Sequence, residues 1–374
     1  MYTKLITYIL FFSLGFLFSC KKDPVEPMKK QIVFDTNFVT RGIYVLNEGL
    51  MNMNNASLSY FNFADSSTSS DYFNMQNGRK LGDTGNDLAV YGQKIYVVVC
   101  VSSQVEVLDA VTGKSIVQIP LFNGQKPRQP RRIAFYKQTA IVCSFDGSVA
   151  IIDTASLTVE KYIQVGRNPD GIAVANNKAY ISNSGGLDAP KYGHTLSVID
   201  MEKQEVVKEI EVEVNPYLIV PDDYGDLYVI SRGDYGKKKM CLQIVDSKTD
   251  SLKYTFPNLE ALNLAIHGDT AYVYHYDFTS GSGSAIRVLN IKTKQIIRDN
   301  FISDGTKVQT AYGIVIDKAT GNVFIGDAHG FVNTGDVICF NSLGKKQFSF
   351  KTGLNPCGMV ILNEMQFDTT QSKR

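Results

Sequence analysis

The loops of this sequence are rich in side chains that bind ligands without reacting with them, namely amides, guanidinium groups and aromatic rings. Aromatic rings beside amide and guanidinium donors suit a large, mostly neutral ligand with apolar faces and polar edges. For each of these residues the alternative is an ordinary position on the loop surface. The predicted ligand-binding residues are Asn47, Asn54, Arg79, Arg128, Arg131, Asn168, Asp170, Tyr192, Tyr217, Arg232, Tyr235, His275, Tyr276, Phe278, Tyr312 and Phe331.

The residue types that usually carry catalysis are not arranged for it. The four histidines, His194, His267, His275 and His329, lack the spacing of metal ligands. The motifs G-x-S-x-G, H-E-x-x-H and Walker A do not occur. The sequence therefore predicts no catalytic residue, no metal, no cofactor and a protein that is not an enzyme.

The net charge and the cysteine positions argue against a nucleic-acid-binding protein and against a disulfide-stabilised one. The chain has 38 Lys and Arg against 37 Asp and Glu, and this balance removes the basic footprint expected of a nucleic-acid-binding protein. Five of the six cysteines, Cys100, Cys143, Cys241, Cys339 and Cys357, are scattered in or beside apolar runs. They are predicted to be small buried side chains and not a disulfide framework.

The N-terminus has the pattern of an export signal. Lys4 precedes an apolar run over residues 5–18, which is short for a transmembrane helix, and a small residue precedes Cys20. This pattern resembles a bacterial lipobox, in which the cysteine becomes the lipidated first residue. The alternative is an ordinary secretory signal with a chance cysteine. We predict a signal peptide over residues 1–19, lipidation of Cys20 as the membrane anchor, and a flexible tether over residues 20–40.

The elements that must position the loops repeat along the chain. Residues 167–214 contain four short β-type runs, separated by polar turns and one long loop. A single four-stranded antiparallel sheet cannot bury both of its faces, so it needs copies of itself on either side. The runs cover residues 171–175, 178–182, 195–200 and 206–212.

The copies are visible as a repeat with a period in the forties. Third runs end at Asp109, Asp153, Asp200, Asp246, Asn290 and Asn341, at separations of 44, 47, 46, 44 and 51 residues. Such side chains accept hydrogen bonds from the backbone two residues on and favour a turn. Seven second runs align in the same way, and the period is typical of a propeller blade. The predicted fold is all-β: a seven-bladed β-propeller over residues 41–363, with four antiparallel strands per blade and a tail over residues 364–374.

The predicted ring closes through its C-terminus. The first unit starts at its second run, near Gly42, and lacks a first run of its own. Residues 355–362 repeat the entry run of residues 168–174 with no unit behind them. The C-terminal strand is therefore expected to pair into the first blade, which leaves no open seam in the ring.

One face of the propeller is expected to bind the ligand. In an antiparallel blade, the loop between the second and third strands lies on the same face as the entry to the first strand. The long loops, among them residues 182–194 and 231–239, belong to that set, whereas the tight turns 176–178 and 201–204 lie on the other face. Because the long loops are confined to one face, that face is expected to carry the function of the protein. The alternative is that the loops vary in length without any functional consequence.

The repeat unit resembles the YVTN-type (surface-layer or YncE-like) propeller repeat. Residues 168–172 (NPDGI), 178–182 (KAYIS) and 197–200 (SVID) match its entry, second and third strands. The likeness covers nearly the whole mature chain and weakens in blades 6 and 7. The WD and kelch repeats rely on Trp, and this chain has none.

The N-terminal third is similar to surface-exposed Bacteroidetes lipoprotein propellers, among them the BtuG-like proteins. The likeness rests on IYVLNEG at 43–49, NNASLSY at 54–60 and GRKLGDTGND at 78–87. It implies a non-enzymatic lipoprotein of the outer membrane that faces the cell exterior and is monomeric apart from its transporter. Such a protein binds cobalamin (vitamin B12) or a related corrinoid, as a transported ligand and not a cofactor, and passes it to a TonB-dependent transporter.

Two other functions stay open. One is a non-catalytic propeller scaffold that binds another outer-membrane protein or a glycan. The other is a propeller enzyme of lactonase or lyase type, which would use carboxylates near the axis such as Asp83 or Asp87.

Overall fold

The structure is a computed structural model that describes residues 36–276 and 283–367. Within these residues the chain forms seven four-stranded sheets and one two-stranded hairpin. The prediction of an all-β, seven-bladed propeller with four antiparallel strands per blade is confirmed. Residues 38–366 form one compact unit.

Each blade is built from strands that are consecutive in the chain, except that blade 1 also takes the last strand. The strands of blades 1 and 2 are β1 (Thr36–Asn47), β2 (Ser57–Asn62), β3 (Thr68–Ser69), β4 (Gly85–Tyr91), β5 (Lys94–Val99), β6 (Gln104–Asp109) and β7 (Ser115–Pro120). The hairpin and blades 3 and 4 comprise β8 (Phe122–Asn123), β9 (Lys126–Pro127), β10 (Pro130–Tyr136), β11 (Thr139–Ser144), β12 (Ser148–Asp153), β13 (Val159–Gln164), β14 (Pro169–Ala175), β15 (Lys178–Asn183), β16 (Thr195–Asp200) and β17 (Glu205–Glu211). Blades 5 to 7 and the last strand comprise β18 (Pro216–Pro221), β19 (Asp226–Ser231), β20 (Cys241–Asp246), β21 (Ser251–Thr255), β22 (Asn263–His267), β23 (Thr270–Tyr276), β24 (Ser284–Asn290), β25 (Gln295–Arg298), β26 (Ala311–Ile316), β27 (Val323–Asp327), β28 (Thr334–Phe340), β29 (Lys346–Leu354) and β30 (Pro356–Phe367).

The ring is closed by the C-terminal strand, as predicted. β30 lies beside β1, and the order across blade 1 is β3, β2, β1, β30. β1 begins at Thr36 and β30 ends at Phe367, so both strands extend past the predicted propeller bounds of 41 and 363. The first and last strands of the chain thus hold blade 1 together.

Each hydrophobic core lies between two neighbouring blades. The second strands are apolar along nearly their whole length because both of their faces are covered; β5 and β11 are each buried at five of six positions. The core between blades 2 and 3 joins Tyr96 and Val107 to Ile133 and Ala140. The outer strands face solvent, as in β17, where Ile210 alone is buried. Stacking against neighbours therefore supplies the burial that a single blade lacks.

Three of the five cysteines are small buried side chains, as predicted, and Cys241 and Cys357 are partly buried. All five within the described residues are free, and Cys100, Cys143 and Cys339 are buried. Burial raises the pKa of the Cys143 thiol to about 12, so this group stays protonated at neutral pH.

The Asp or Asn that ends each third strand forms the predicted turn. Asp153 Oδ1 accepts the backbone N–H groups of Ala155 at 3.0 Å and Ser156 at 2.6 Å. The same acceptor role is filled by Asp109, Asp200, Asp246, Asn290 and Asn341. Hydrogen bonds from the turn hold the pKa of Asp109, Asp153 and Asp200 below its usual value.

Replacing Asp109, Asp153 and Asp200 together by asparagine is expected to reduce the acid sensitivity of the fold. Because the pKa of each carboxyl is lowered on folding, its ionised form stabilises the folded state at neutral pH. That stabilisation is lost as the pH falls from about 4 through the folded-state pKa. Asparagine keeps the acceptor without the charge, as Asn290 and Asn341 do in this chain. Thermal unfolding between about pH 7 and about pH 3 should show a smaller fall in Tm for the triple variant; equal falls would contradict this account.

Blade 1 departs from the repeat in its outer part. β3 is only two residues long, and it is followed by a helix, α1 (Tyr72–Asn77), that the sequence patterns did not predict. Asp71 caps the helix by accepting the backbone N–H of Asn74 at 3.3 Å, and Gly78 ends it at a φ of 65°. No helix in the described part of the chain is long and apolar enough to cross a membrane.

Candidate functional site: the axial mouth

The inner strands enter the ring through a backbone kink. The residues just before three of them have a left-handed backbone, with a φ of 44° at Asn168, 62° at Asn215 and 61° at Asn355. A proline follows each asparagine and is the first residue of the inner strand. Asparagine tolerates this conformation better than most residues. This geometry explains the Asn-Pro pair of the repeat.

Five inner strands contain a β-bulge near their start. The register shifts between Gly85 and Asp87, Pro130 and Arg132, Pro169 and Ile172, Pro216 and Leu218, and Ala311 and Gly313. An extra residue in one strand re-aims the local side chains. The residues within these bulges include Asn86, Arg131, Asp170, Tyr217 and Tyr312. The last four of these are predicted ligand-binding residues.

These side chains meet at the centre of the ring. Arg132 Nη2 of blade 3 donates to Tyr217 Oη of blade 5 at 2.6 Å, across the blade between them. Tyr312 of blade 7 donates to the carboxylate of Glu48, on the loop after β1. We use the name axial mouth for the set formed by Glu48, Asp87, Arg131, Arg132, Asp170, Tyr217, Arg232, Tyr276, Tyr312 and Phe331.

One half of the axial mouth, from blades 2 to 5, is charged. Arg131 Nε donates to Asp170 Oδ1 at 2.8 Å, and Arg232 Nη1 lies 3.7 Å from Asp170 Oδ2. Arg132 Nη1 lies 3.8 Å from Asp87 Oδ1. Glu48, on the loop after β1, adds a third carboxyl group to those of Asp87 and Asp170. Three carboxyl groups therefore lie opposite three guanidinium groups. The formal charges in the mouth therefore balance.

Burial raises the pKa of the carboxyl groups of Glu48 and Asp87, and the nearby guanidinium groups oppose this only in part. Burial also acts to lower the pKa of Arg131 and Arg132, but neighbouring acidic groups outweigh it and both pKa values lie above the ordinary value for arginine. The arginines therefore remain cationic, while these two carboxyl groups take up protons more readily than exposed ones.

The other half of the axial mouth, from blades 6 and 7, is aromatic. The Tyr312 and Phe331 rings lie edge to face, with centroids 5.1 Å apart and planes at 85°. The Tyr276 ring lies 6.3 Å from the Phe331 ring. Burial raises the pKa of Tyr312 and of Tyr276, so both phenols stay neutral. A ligand with an apolar face and hydrogen-bonding edges can contact rings on one side and guanidinium donors on the other.

Phe331 reaches the axial mouth from a strained turn. His329, Gly330 and Phe331 form a short 3-10 element in which φ is 45°, 76° and 69° in turn. A positive φ is rare for a bulky residue and costs on the order of 1–3 kcal/mol. Asp327 joins this turn to the segment before β26, because its carboxylate accepts the backbone N–H of His329 at 3.1 Å and those of Gln309 and Thr310 at 2.8 Å each. His329 Nε2 also lies 2.7 Å from Asp336 Oδ2. Strain that the surroundings enforce in this way is common at ligand-binding sites.

Five predicted ligand-binding residues make internal contacts instead of joining the axial mouth. Asn47 is buried and donates to two serine hydroxyls of β2. Arg79 pairs with a buried glutamate at 2.8 Å, and Arg128 pairs with an aspartate at 2.6 Å. Asn168 donates to a backbone carbonyl of blade 3 at 3.0 Å, and the backbone N–H of Asn54 donates to a carboxylate at 3.1 Å. These contacts give the five residues a structural role.

Three more predicted residues lie apart from the mouth. The Tyr192 and Tyr235 rings are 6.0 Å apart, on loops of blades 4 and 5. His275 Nε2 lies 3.1 Å from Glu260 Oε2, at the end of the second strand of blade 6. Among the described residues, Tyr192 and Tyr235 make no hydrogen bond or ion pair with the charged half, although Tyr235 acts electrostatically on Arg232.

Two predicted residues, Cys20 and Phe278, lie outside the described residues, as does the predicted signal peptide. Three members of the axial mouth, Glu48, Asp87 and Arg132, were not predicted as ligand-binding residues; Asp87 was named only as a carboxylate that a propeller enzyme would use. Arg132 directly follows a bulged residue, and that position was the signal that could have identified it. Across residues 36–276 and 283–367, no group of three or more His, Cys, Asp or Glu side chains could hold a metal ion.

A groove of about 590 Å³ lies away from the axial mouth, between blades 5 and 6. Lys237, Lys238 and Lys239 line one part of it, and Glu213 and Glu260 line another. Acidic and basic side chains therefore share this groove, and its lysines are exposed. We place the candidate site at the axial mouth because side chains from several blades converge there.

The Gly171→Ala variant is expected to be destabilised by about 2–3 kcal/mol or more. A Cβ at this position would lie 2.0 Å from the backbone oxygen of Tyr217 in the next blade, and a backbone atom there cannot move without shifting the inner strand. The matched control is Gly236→Ala, where the nearest atom would be 3.4 Å away. Urea unfolding followed by circular dichroism should give a lower midpoint for Gly171→Ala only. Equal midpoints for the two variants would contradict the close packing of the inner strands.

Comparison with known proteins shows a family and a fold. The family described as "Domain of unknown function (DUF5074)" matches residues 41–353. No curated protein sequence matches the chain.

Three solved structures show the shared fold. Hydrazine synthase of Kuenenia stuttgartiensis is 16% identical, with a TM-score of 0.62 over 75% of this chain and 95% of that chain. A quinonprotein alcohol dehydrogenase-like protein from Bacteroides thetaiotaomicron is 13% identical, with a TM-score of 0.61 over 88% of this chain and 78% of that chain. The computationally designed Ika8 protein is 11% identical, with a TM-score of 0.52 over 76% of this chain and 96% of that chain. Identities this low are informative about the fold alone.

Proposed function

We propose the following function for a chain that belongs to the DUF5074 family: it is a non-catalytic binding protein that captures a corrinoid, such as cobalamin, at its axial mouth. The observation that carries the proposal is the division of the mouth into an aromatic half and a guanidinium-rich half. A corrinoid has a flat macrocycle with apolar faces and an edge that bears amide groups. Rings such as Phe331 suit the face of that macrocycle, and donors such as Arg232 suit its edge.

The charge balance of the axial mouth also supports a mostly neutral ligand. Arg131 is engaged by Asp170, and Glu48 accepts the hydroxyl of Tyr312. A site of this kind presents hydrogen-bonding groups without a strong field of one sign. It is therefore better suited to a large ligand with many amides than to a small multiply charged one.

In the proposed role the protein is tethered to the outer membrane through a lipidated Cys20 and faces the cell exterior. It acts as a monomer apart from a TonB-dependent transporter, to which it passes the corrinoid. The export signal and the likeness of the N-terminal third to Bacteroidetes surface lipoproteins support this placement.

Titration calorimetry of the protein without its predicted signal peptide, with cyanocobalamin as ligand, tests the proposal. We expect saturable binding at one site per chain and a change in the visible spectrum of the corrinoid. The absence of both heat and spectral change would contradict it.

A second candidate function is a scaffold that binds another outer-membrane protein. The loops on the face of the axial mouth expose large apolar side chains, including Met51 at 67%, Leu187 at 61%, Tyr235 at 66% and Val332 at 75%. Apolar side chains grouped on one face are typical of protein-binding surfaces. If this is the function, cross-linking in intact outer membranes will capture a partner whether or not corrinoid is present, and calorimetry with cyanocobalamin will give no signal.

A further inference from the structure

Two of the three guanidinium groups in the axial mouth, those of Arg132 and Arg232, make few hydrogen bonds with other described residues. The Arg232 side chain makes no hydrogen bond within the described part of the chain; its contact with Asp170 is an ion pair at 3.7 Å. Arg132 Nε is buried and has no partner among the described residues. Arg132 makes one side-chain hydrogen bond, from Nη2 to Tyr217 Oη at 2.6 Å, and its ion pair with Asp87 is long at 3.8 Å.

Both of these arginines lie against the same tyrosine. The guanidinium carbon of Arg232 is 3.5 Å from the Tyr217 ring centroid, and that of Arg132 is 4.9 Å from it. Stacking and packing fix the direction of each guanidinium group without using its N–H donors. The side chains of Arg132 and Arg232 are only 14% and 29% exposed, so they are partly withdrawn from water.

Arg131 differs from Arg132 and Arg232 because its guanidinium group makes two hydrogen bonds within the same site. Its Nε donates to Asp170 at 2.8 Å, its Nη1 donates to Cys100 Sγ at 3.7 Å, and its guanidinium carbon lies 4.3 Å from the Phe145 ring centroid. Arg131 therefore has two donor atoms engaged by described residues, whereas Arg132 has one and the Arg232 side chain has none. Partly buried donors without acceptors are costly to maintain in a fold unless a ligand supplies the acceptors.

We infer that Arg132, Arg232 and Tyr217 form an oxyanion subsite within the axial mouth, which takes a phosphate or carboxylate group carried by the ligand. Guanidinium groups match the geometry of such groups through paired N–H donors. The N–H donors of the two guanidinium groups disfavour a cation, and a purely apolar group would leave these donors unpaired. The inference rests on the proposed ligand-binding function of the axial mouth and adds the chemical class of one part of the ligand. For a corrinoid, that part is the phosphodiester of the nucleotide loop.

Arg232→Gln is the variant of choice because the Arg232 side chain makes no hydrogen bond with another described residue, and the fold of the variant is checked by its Tm. We expect this variant to bind cyanocobalamin about tenfold more weakly or worse, because a charge-assisted contact is lost. Its affinity for dicyanocobinamide, which lacks the phosphodiester, should stay within about twofold of the wild-type value. Arg232→Lys keeps the charge but not the paired donors, and it should also discriminate less between the two ligands. Arg167→Gln is the control, since Arg167 pairs with Asp188 away from the axial mouth.

Titration with inorganic pyrophosphate at constant ionic strength tests the oxyanion subsite independently of corrinoid binding. If wild type binds pyrophosphate, Arg232→Gln does not, and neither binds a corrinoid, the oxyanion subsite stands and the corrinoid function falls. If wild type binds both corrinoids with equal affinity, and Arg232→Gln weakens neither or weakens both alike, the inferred subsite is overturned while the corrinoid function stands. Loss of pyrophosphate binding in Arg167→Gln would likewise overturn the assignment to Arg132, Arg232 and Tyr217.

Discussion

The Asp170→Ala variant is expected to lose about 3–5 kcal/mol of unfolding free energy, because it removes one partner of a buried ion pair. Asp170 is 2% exposed, and it is the acceptor for Arg131 Nε at 2.8 Å and the ion-pair partner of Arg232 at 3.7 Å. Without it, Arg131 keeps its charge in a partly buried position and loses the carboxylate to which its Nε donates. Corrinoid binding should be lost as well, since two arginines of the axial mouth lose the group that orients them.

Urea unfolding followed by circular dichroism measures the stability of Asp170→Ala. Asp170→Asn keeps the shape and one acceptor, so we expect a smaller loss. The matched control is Asp188→Ala, which removes the partner of the exposed Arg167 on the same face and should change stability by less than about 1 kcal/mol. If Asp170→Ala unfolds at the same urea concentration as Asp188→Ala, the charged half of the mouth does not hold the ring together.

The Phe331→Ala variant is expected to weaken corrinoid binding by about 30-fold, a loss of about 2 kcal/mol that is typical of an aromatic contact residue. The ring is half-buried and its neighbours are Tyr312 and Tyr276, so its removal leaves the blade cores untouched. The stability of the fold should therefore change by less than about 1 kcal/mol. Calorimetry with cyanocobalamin measures the first effect, and urea unfolding measures the second.

Phe331→Asn distinguishes the contact from the strained backbone. Asparagine also lacks the ring, but it tolerates the positive φ of 69° at this position better than alanine does. We expect Phe331→Asn to be more stable than Phe331→Ala while binding the corrinoid equally weakly. Val332→Ala is the neighbouring control, because Val332 is 75% exposed and should affect neither property. If Phe331→Ala binds as tightly as wild type, the aromatic half is not a ligand contact.

The blade period could be predicted because its signals are local in the chain. Asp153 closes a turn with the residues that directly follow it, and this chemistry repeats at every third strand. The Asn-Pro pair before the inner strands is local in the same sense, since a left-handed residue and the strand it precedes are adjacent. The helix α1 escaped prediction because its six residues are too few to show a helical period. Its stabilising contacts also come from other parts of the chain, such as the Tyr44 ring packed 5.7 Å from Tyr72.

The site could be predicted only where a side chain sits at a position of the repeat. Arg131, Asp170 and Tyr217 occupy equivalent bulges, and their place at the entry to an inner strand is readable from the sequence. Arg79 lies at a similar entry, but it is engaged by Glu106 and Ser115, which are 27 and 36 residues away in the chain. No local pattern reports such a partner. Glu48 could not be predicted for the same reason, since its contact Tyr312 is 264 residues away in the chain.

A crystal structure of the protein with cyanocobalamin tests most directly the claim that the axial mouth is the ligand site. We predict one corrinoid per chain, with its macrocycle against Phe331 and Tyr312 and its phosphodiester within hydrogen-bonding distance of Arg132 and Arg232. Density for the corrinoid on another surface, such as the groove beside Lys238, would contradict this account, and so would crystals that leave the mouth empty at saturating cyanocobalamin.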